Sequence, residues 1–358
     1  MRYECALTTT AITGCRWADG SFAHDAAICF GYTSAIDPRS SGLSPLMLRC
    51  LLIALGCLAC SYCGADEPPT AVNGNSSIQG LAGSSEIVIT TTDRLAGAIH
   101  SLTWGGKEFI DSHDHGRQLQ SASSFDQAVP SEFWAECYNP TEAGSRLDGA
   151  GDRSTSRLLS LHAADSELRT TSQMAFWLAP GEQSSGRPAL NDKVLSDHLV
   201  SKRVHIGYKK LDQVIEYEVT FQIPKGERHT LAQFEAVTGY MPIEFGTFWK
   251  FVPSSGELEE LDDGPGEQGF PVLLANKAGT HAMGVFSPDQ PSLGYESAGY
   301  GRFRFHEERV VKWNCVFRSR NPLGVTTGEH RFRTFVAAGS LEQVRQSLSA
   351  LVAEFAGD

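Results

Sequence analysis

Residues 111–120 (Asp111, Ser112, His113, Asp114, His115, Gly116, Arg117, Gln118, Leu119 and Gln120) form the densest polar run in the sequence. Side chains alternate along an extended backbone, so a strand here would project His113, His115 and Arg117 to one side. Two imidazoles can pass a proton near neutral pH, and a guanidinium can hold a carboxylate or hydroxyl beside them. The following stretch adds Trp134, Glu136, Tyr138, Asn139 and Glu142, beside the loop-forming Pro140 and Gly144. These residues make a candidate site. His113 or His115 would serve as acid and base, Tyr138 as a second proton donor, and Glu142 as the carboxylate partner. Arg117 and Asn139 would orient a ligand or neutralise its charge. The plainer reading of 111–120 is a solvated hairpin end.

Two further groupings offer chemistry. The loop Asp262–Gln268 carries Glu267, a second candidate for the general base, although Asp and Gly are ordinary in turns. Two histidines at i, i+2 on a strand, as His113 and His115 would be, can share a divalent metal with a nearby carboxylate. No downstream spacing supports that reading, so no cofactor is expected and a cation stays an alternative. Ser196, Asp197 and His198 have the residue types of a hydrolytic triad, but neighbours on a strand point to opposite faces. There is no Gly-x-Ser-x-Gly, phosphate loop or dinucleotide glycine fingerprint. Trp134, Tyr138, Trp177, Tyr240, Phe248, Trp249 and Tyr300 fall near strand ends or loops, where flat rings pack on a sugar face. Trp134, Glu136 and Trp249 are taken as substrate contacts.

The elements that must position these groups are almost all strands. Alternation or β-rich composition marks 86–90, 98–104, 200–208, 214–223, 230–237, 247–252, 272–275, 282–286, 302–305, 310–317 and 330–336. Gly105 and Gly106 turn the second of these into a hairpin, and 209–213 joins the third to the fourth. One helix is expected: Ser340 is an N-cap, and Leu341, Val344, Leu348, Leu351, Val352 and Phe355 make an apolar stripe behind it. No repeat of 20–50 residues is visible, which disfavours a propeller or solenoid. Many antiparallel strands with one terminal helix predict an all-β chain of two large packed sheets.

The N-terminal part reads differently. Arg49, the apolar stretch Leu51–Cys60 and the small residues Cys63, Gly64 and Ala65 have the order of a signal peptide over 47–65. An apolar run of about ten residues covers only about half of a membrane core, so no stable membrane span is expected. Lipidation at Cys57 or Cys60 lacks the usual preceding triplet. Residues 1–46 then look like a start read too early, 66–84 like a flexible lead-in, and 85–358 like one β domain, secreted or periplasmic. Seven of the nine cysteines lie before residue 66, leaving Cys137 and Cys315 either paired or buried singly. The four basic and four acidic residues of 1–65 cancel, so the net charge of −12 belongs to the rest. Such an acidic chain disfavours nucleic acid and anionic membrane as partners, while arginines lining one cleft would still take an anionic ligand. Nothing indicates an oligomeric state.

The run Gly97–Ile110, with Gly105 and Gly106 at its turn, followed by Asp114–Gln120, resembles the opening of galactose-mutarotase-like proteins. The resemblance implies a supersandwich of two large antiparallel sheets with a ligand cleft on one concave face. It implies a carbohydrate ligand, and of that superfamily's arginine and histidine it transfers Arg117 and His115. Glu267 corresponds to the late glutamate base only by its position in the chain. The expected function is therefore an exported enzyme cleaving a glycan or uronate-containing polysaccharide, as lyase or glycoside hydrolase. The alternatives are a non-catalytic glycan-binding protein and a sugar epimerase.

Overall fold

The structure, a computed structural model, describes residues 72–127, 133–289, 291–292 and 299–356. The expected signal peptide and the extension before it lie outside these residues.

The chain opens with the hairpin β1 (Ser76–Ala82) and β2 (Ser85–Thr91), then β3 (Ile99–Trp104) and the short β4 (Lys107–Glu108). β5 (Leu119–Phe125) and β6 (Pro140–Thr141) precede the hairpin of β7 (Arg157–Ala164) and β8 (Glu167–Phe176). A two-residue ladder of β9 (Gln183–Ser184) and β10 (Arg187–Pro188) leads to β11 (Leu195–Tyr208), β12 (Leu211–Ile223) and β13 (Leu231–Pro242). Then come β14 (Thr247–Val252), β15 (Glu257–Leu261), β16 (Gly266–Gln268), β17 (Val272–Ala275) and β18 (Ala282–Phe286). β19 (Tyr300–Phe305), β20 (Val310–Arg320), β21 (Gly328–Gly339) and the helix α1 (Leu341–Phe355) close the chain.

Pairing sorts the strands into two antiparallel sheets. Sheet I runs β1–β2–β3–β5–β13–β20–β19–β16. Sheet II runs β7–β8–β11–β12–β21–β18–β17–β14–β15. β6 pairs with both β5 and β8 and so joins them. Their inner faces share one core, to which sheet I gives Ile87, Leu102, Phe234 and Trp313 and sheet II gives Val204, Tyr217, Val219 and Val336. Each large side chain buried there contributes about 1.5–3 kcal/mol. The expected sandwich of two antiparallel sheets is what forms.

α1 begins at the expected cap. The Gln343 amide donates to Ser340 Oγ at 3.3 Å and the Ser340 amide to Gln343 Oε1 at 2.9 Å, a reciprocal box that satisfies two free donors. Val344, Leu348 and Leu351 pack against Val214, Leu273 and Phe335, sealing the far end of sheet II. One expectation is corrected, and one open alternative is decided. The supposed lead-in contains β1, whose Ile78 and Ala82 enter the core although its composition is small and polar. Cys137 and Cys315 are both buried and free, so no disulfide ties the sheets.

Candidate functional site

A groove of about 650 Å³ lies on the outer face of sheet II, across β7, β8, β11, β12 and β21. Alternation creates it. Along β11 the even residues from Ser196 to Ile206 are buried, and Ser201 and Arg203 between them turn outward. Register then aligns outward residues from five strands. One rung reads Ser160, Thr171, Ser201, Thr220 and Arg331; the next reads His162, Arg169, Arg203, Glu218 and Arg333. All ten line the groove. The rungs sit about 7 Å apart, with neighbouring strands about 4.8 Å apart.

The first rung is a row of hydroxyls ending in a guanidinium, with Thr171 Oγ1 and Ser201 Oγ 2.9 Å apart. The second is an ion lattice. Glu167 accepts from Arg169 Nε at 2.7 Å and from Arg203 Nε at 2.6 Å. Arg203 Nη1 also reaches Glu216 and Glu218 at 3.2 and 3.1 Å, and Arg333 closes on Glu216 at 2.8 Å. The Arg169 hydrogen bond, with help from Arg203, holds the Glu167 carboxyl below its usual value. The side chains of Arg169 and Arg331, paired with Glu167 and Glu329 respectively, remain 60% and 74% exposed.

None of the expected site residues lines this groove, and most are structural. The segment 111–118 is bends and turns, not a strand, so alternation does not apply: His113 is exposed and His115 is buried. His115 places Nδ1 2.8 Å from the Gly149 carbonyl and Nε2 2.8 Å from that of Arg94. Both ring nitrogens are thus occupied in clasping the 143–155 loop to the turn after β2, which removes His115 as acid, base or metal ligand. Gly144 permits the close fit: its φ is +126° and an added Cβ would lie 3.1 Å from the His115 ring. Arg117 is held by Asp114 at 2.9 Å and by Asp111 at 3.7 Å.

Glu142 is fully buried against Lys202 Nζ, also accepts the Ser121 amide at 3.1 Å, and so reaches no ligand. Asn139 Nδ2 donates to the Ser123 carbonyl at 2.6 Å. Glu267 meets Arg318 through two bonds of 2.5 and 2.7 Å, which occupies the carboxylate expected to act as base. Trp249 packs on the cluster beneath α1. Trp134 and Glu136 both contact Ser184 Oγ of β9, and the Arg187 guanidinium lies 5.2 Å from the Trp134 ring.

Tyr138, one of the expected catalytic residues, stands in a pocket of about 270 Å³ that also borders Asp192, Asp197 and Glu227. Its Oη donates to Glu227 Oε1 at 3.1 Å. Burial pushes the phenol well up, and the Glu227 charge adds to the shift. Below the rim, His198 Nε2 and His229 Nε2 each lie 2.8 Å from Glu227 Oε2. Phe125 packs against both imidazoles, with ring centroids 4.9 and 4.6 Å away. Burial disfavours a charge on Glu227, but hydrogen bonds from His198 and His229 outweigh it and hold the carboxyl at about 2. Asp197 points the other way, onto Lys193 at 2.6 Å, so residues 196–198 form no triad. In the sequence His198 stands out only within that triplet, and Glu227 and His229 belong to no motif.

No protein-family profile matches the sequence, and neither does any curated protein. Among solved structures, the chain is similar to a galactose mutarotase-like protein from Lactobacillus casei ATCC 334, at 9% identity and a TM-score of 0.38, over 74% of this chain and 100% of the other. It is similar to the Slr1438 protein of Synechocystis sp. PCC 6803, at 7% identity and a TM-score of 0.41, over 78% of this chain and 99% of that one. A glycosyl hydrolase family 38 protein from Enterococcus faecalis aligns at 12% identity and a TM-score of 0.44, with 78% of this chain covering 33% of the other. Likeness at these identities and TM-scores says nothing of reaction or ligand.

Proposed function

We propose that the protein binds an acidic, hydroxyl-rich carbohydrate such as a uronate-containing glycan in the sheet II groove. The observation that carries this is the register itself, which sets Arg169, Arg203, Arg331 and Arg333 among Ser and Thr hydroxyls on one open face. Guanidinium groups pair with carboxylates in a planar, two-bonded way, and the hydroxyl rung supplies donors and acceptors for sugar hydroxyls. Although the chain carries a net charge of −12, four arginines gather in this one groove. Cleavage is a second reading, supported by exposed His162 on the arginine rung, where a proton carrier would lie beside neutralised carboxylates. Export is also inferred, supported by the signal-like order of residues 47–65.

Calorimetric titration with a uronate oligomer and with a neutral glucan tests the binding. Uronate binding that Arg331→Ala and Arg169→Ala each weaken about tenfold, an effect of about 1.4 kcal/mol, supports the assignment. Failure of every uronate ligand to bind would overturn it. Mass spectrometry of the incubated glycan decides the second reading: one added water marks hydrolysis, an unsaturated end marks elimination, and intact glycan leaves a binding protein.

A further inference from the structure

We propose that His198, Glu227 and His229 form a binding site for a divalent transition metal of the zinc class, at the floor of the pocket bordered by Tyr138. It stands independently of the groove, since it uses the opposite face of β11.

Three observations converge. The ligand atoms of these residues all lie within 4.8 Å of one another, and among the described residues this is the group that has both the spacing and the donor types for a metal. Two imidazole nitrogens and one carboxylate oxygen suit zinc-like ions, which bind three protein ligands and leave a fourth position open. Both histidine side chains are 2% exposed and belong to a packed wall, so the donors are already oriented.

The second observation is the hydrogen bond behind the ligand. His229 Nδ1 lies 3.2 Å from the Asp126 carbonyl, which can only accept, so Nδ1 carries the proton. Its Nε2 lies 2.8 Å from Glu227 Oε2, and a metal binding there would displace the proton shared between them. Metal-bound histidines are characteristically fixed by such a bond from the far nitrogen to a backbone carbonyl. Around a zinc ion with bonds of about 2.0–2.1 Å, donors stand about 3.3 Å apart. The two His–Glu contacts would lengthen by about half an ångström from their 2.8 Å to take the ion.

The third is access. Glu227 and Tyr138 both face the pocket of about 270 Å³, so an ion held there meets solvent on one side and has room for a water or ligand oxygen. Tyr138 Oη, bonded to Glu227 Oε1 at 3.1 Å, stands beside that open side.

The test uses the full-length protein, purified without a histidine tag and stripped with chelator. It is titrated with Zn²⁺ by calorimetry and with Co²⁺ by visible absorption. One equivalent binding with a micromolar or tighter Kd, together with the intense absorption of four-coordinate Co²⁺, is the expected result. Glu227→Gln should weaken binding at least a hundredfold and His229→Ala should abolish it, while surface His113→Ala leaves it unchanged. Should either site variant misfold, wild type still decides: a Tm that rises with Zn²⁺ and not with Mg²⁺ supports the site. Binding weaker than millimolar, or binding that survives both site substitutions in folded protein, overturns it. Uronate binding in the groove is measured separately on the stripped protein, so either reading can fail alone.

Discussion

Lys202 and Glu142 form an ion pair in the interior between the two sheets, their side chains 1% and 0% exposed. Lys202 descends from the inner face of β11, and Glu142 follows β6, the strand that bridges the sheets. Ser121 extends the contact by placing its Oγ 2.8 Å from the Tyr217 hydroxyl, and burial with the Glu142 charge pushes that phenol well up. Removing one partner leaves the other charge buried alone. Glu142→Ala should therefore cost about 3–5 kcal/mol of stability, whereas Glu142→Leu with Lys202→Met should recover most of it. Urea unfolding of the single and double variants reads this directly. A single variant as stable as wild type would mean the charges are not both buried.

His115→Ala separates structure from chemistry. The Arg94 carbonyl loses its side-chain partner and Gly149 one of its two, which should cost about 1–3 kcal/mol. Uronate binding should be unchanged in the folded variant at low temperature. A selective loss of binding with unaltered Tm would restore His115 to the site.

The pH dependence follows from Glu167. Its hydrogen bond from Arg169 lowers the folded-state value below the ordinary 4.5, so its contribution to stability is complete above 4.5. As pH falls below 4.5 and through the folded value, the unfolded chain takes up the proton first and that contribution is lost. Unfolding midpoints of wild type should therefore fall more steeply below pH 4.5 than those of Glu167→Gln. Identical slopes would show that this pair adds nothing, as many exposed ion pairs do.

The two cysteines give a simple chemical check. Burial pushes both thiols up, leaving little of the reactive thiolate. Maleimide should label neither Cys137 nor Cys315 in the native protein and both in denaturant, with no dependence on reductant. A mass two hydrogens short before reduction would show a disulfide instead.

Uronate binding should also respond to salt. Arg169 and Arg331 are exposed, so their attraction for an anionic glycan is screened over about 8–10 Å at ordinary ionic strength. Affinity should drop severalfold between low and 0.5 M salt, and the drop should shrink in Arg331→Ala. Salt-independent titrations would place the ligand elsewhere.

Much of the fold was legible because it follows from local pattern. Strands 247–252, 272–275 and 282–286 and the Ser340 cap are read from alternation, apolar runs and capping chemistry. β5 was hidden because its Ser and Gln side chains are buried through backbone and cross-sheet bonds, which composition does not reveal. The groove was hidden for another reason. Arg169, Arg203 and Arg333 become neighbours only when β8, β11, β12 and β21 align, and periodicity says which face a residue takes without saying which rung. Tyr138 was found, but its partners arrive from 60 and about 90 positions downstream, on β11 and in the loop after β12.

The outward alternation of β21 also guards the assembly of the sheet. A slip of one residue against β12 would turn Phe332 and Thr334 to solvent and drive Arg331 and Arg333 between the sheets. Stripping water from two guanidinium groups costs several kcal/mol each, far more than one misplaced phenylalanine could return. The charged rows are therefore a proofreading device for chain alignment, rejecting each off-by-one pairing while the protein folds. Replacing those arginines with apolar residues for the sake of stability would silence that check and permit misaligned, sticky products.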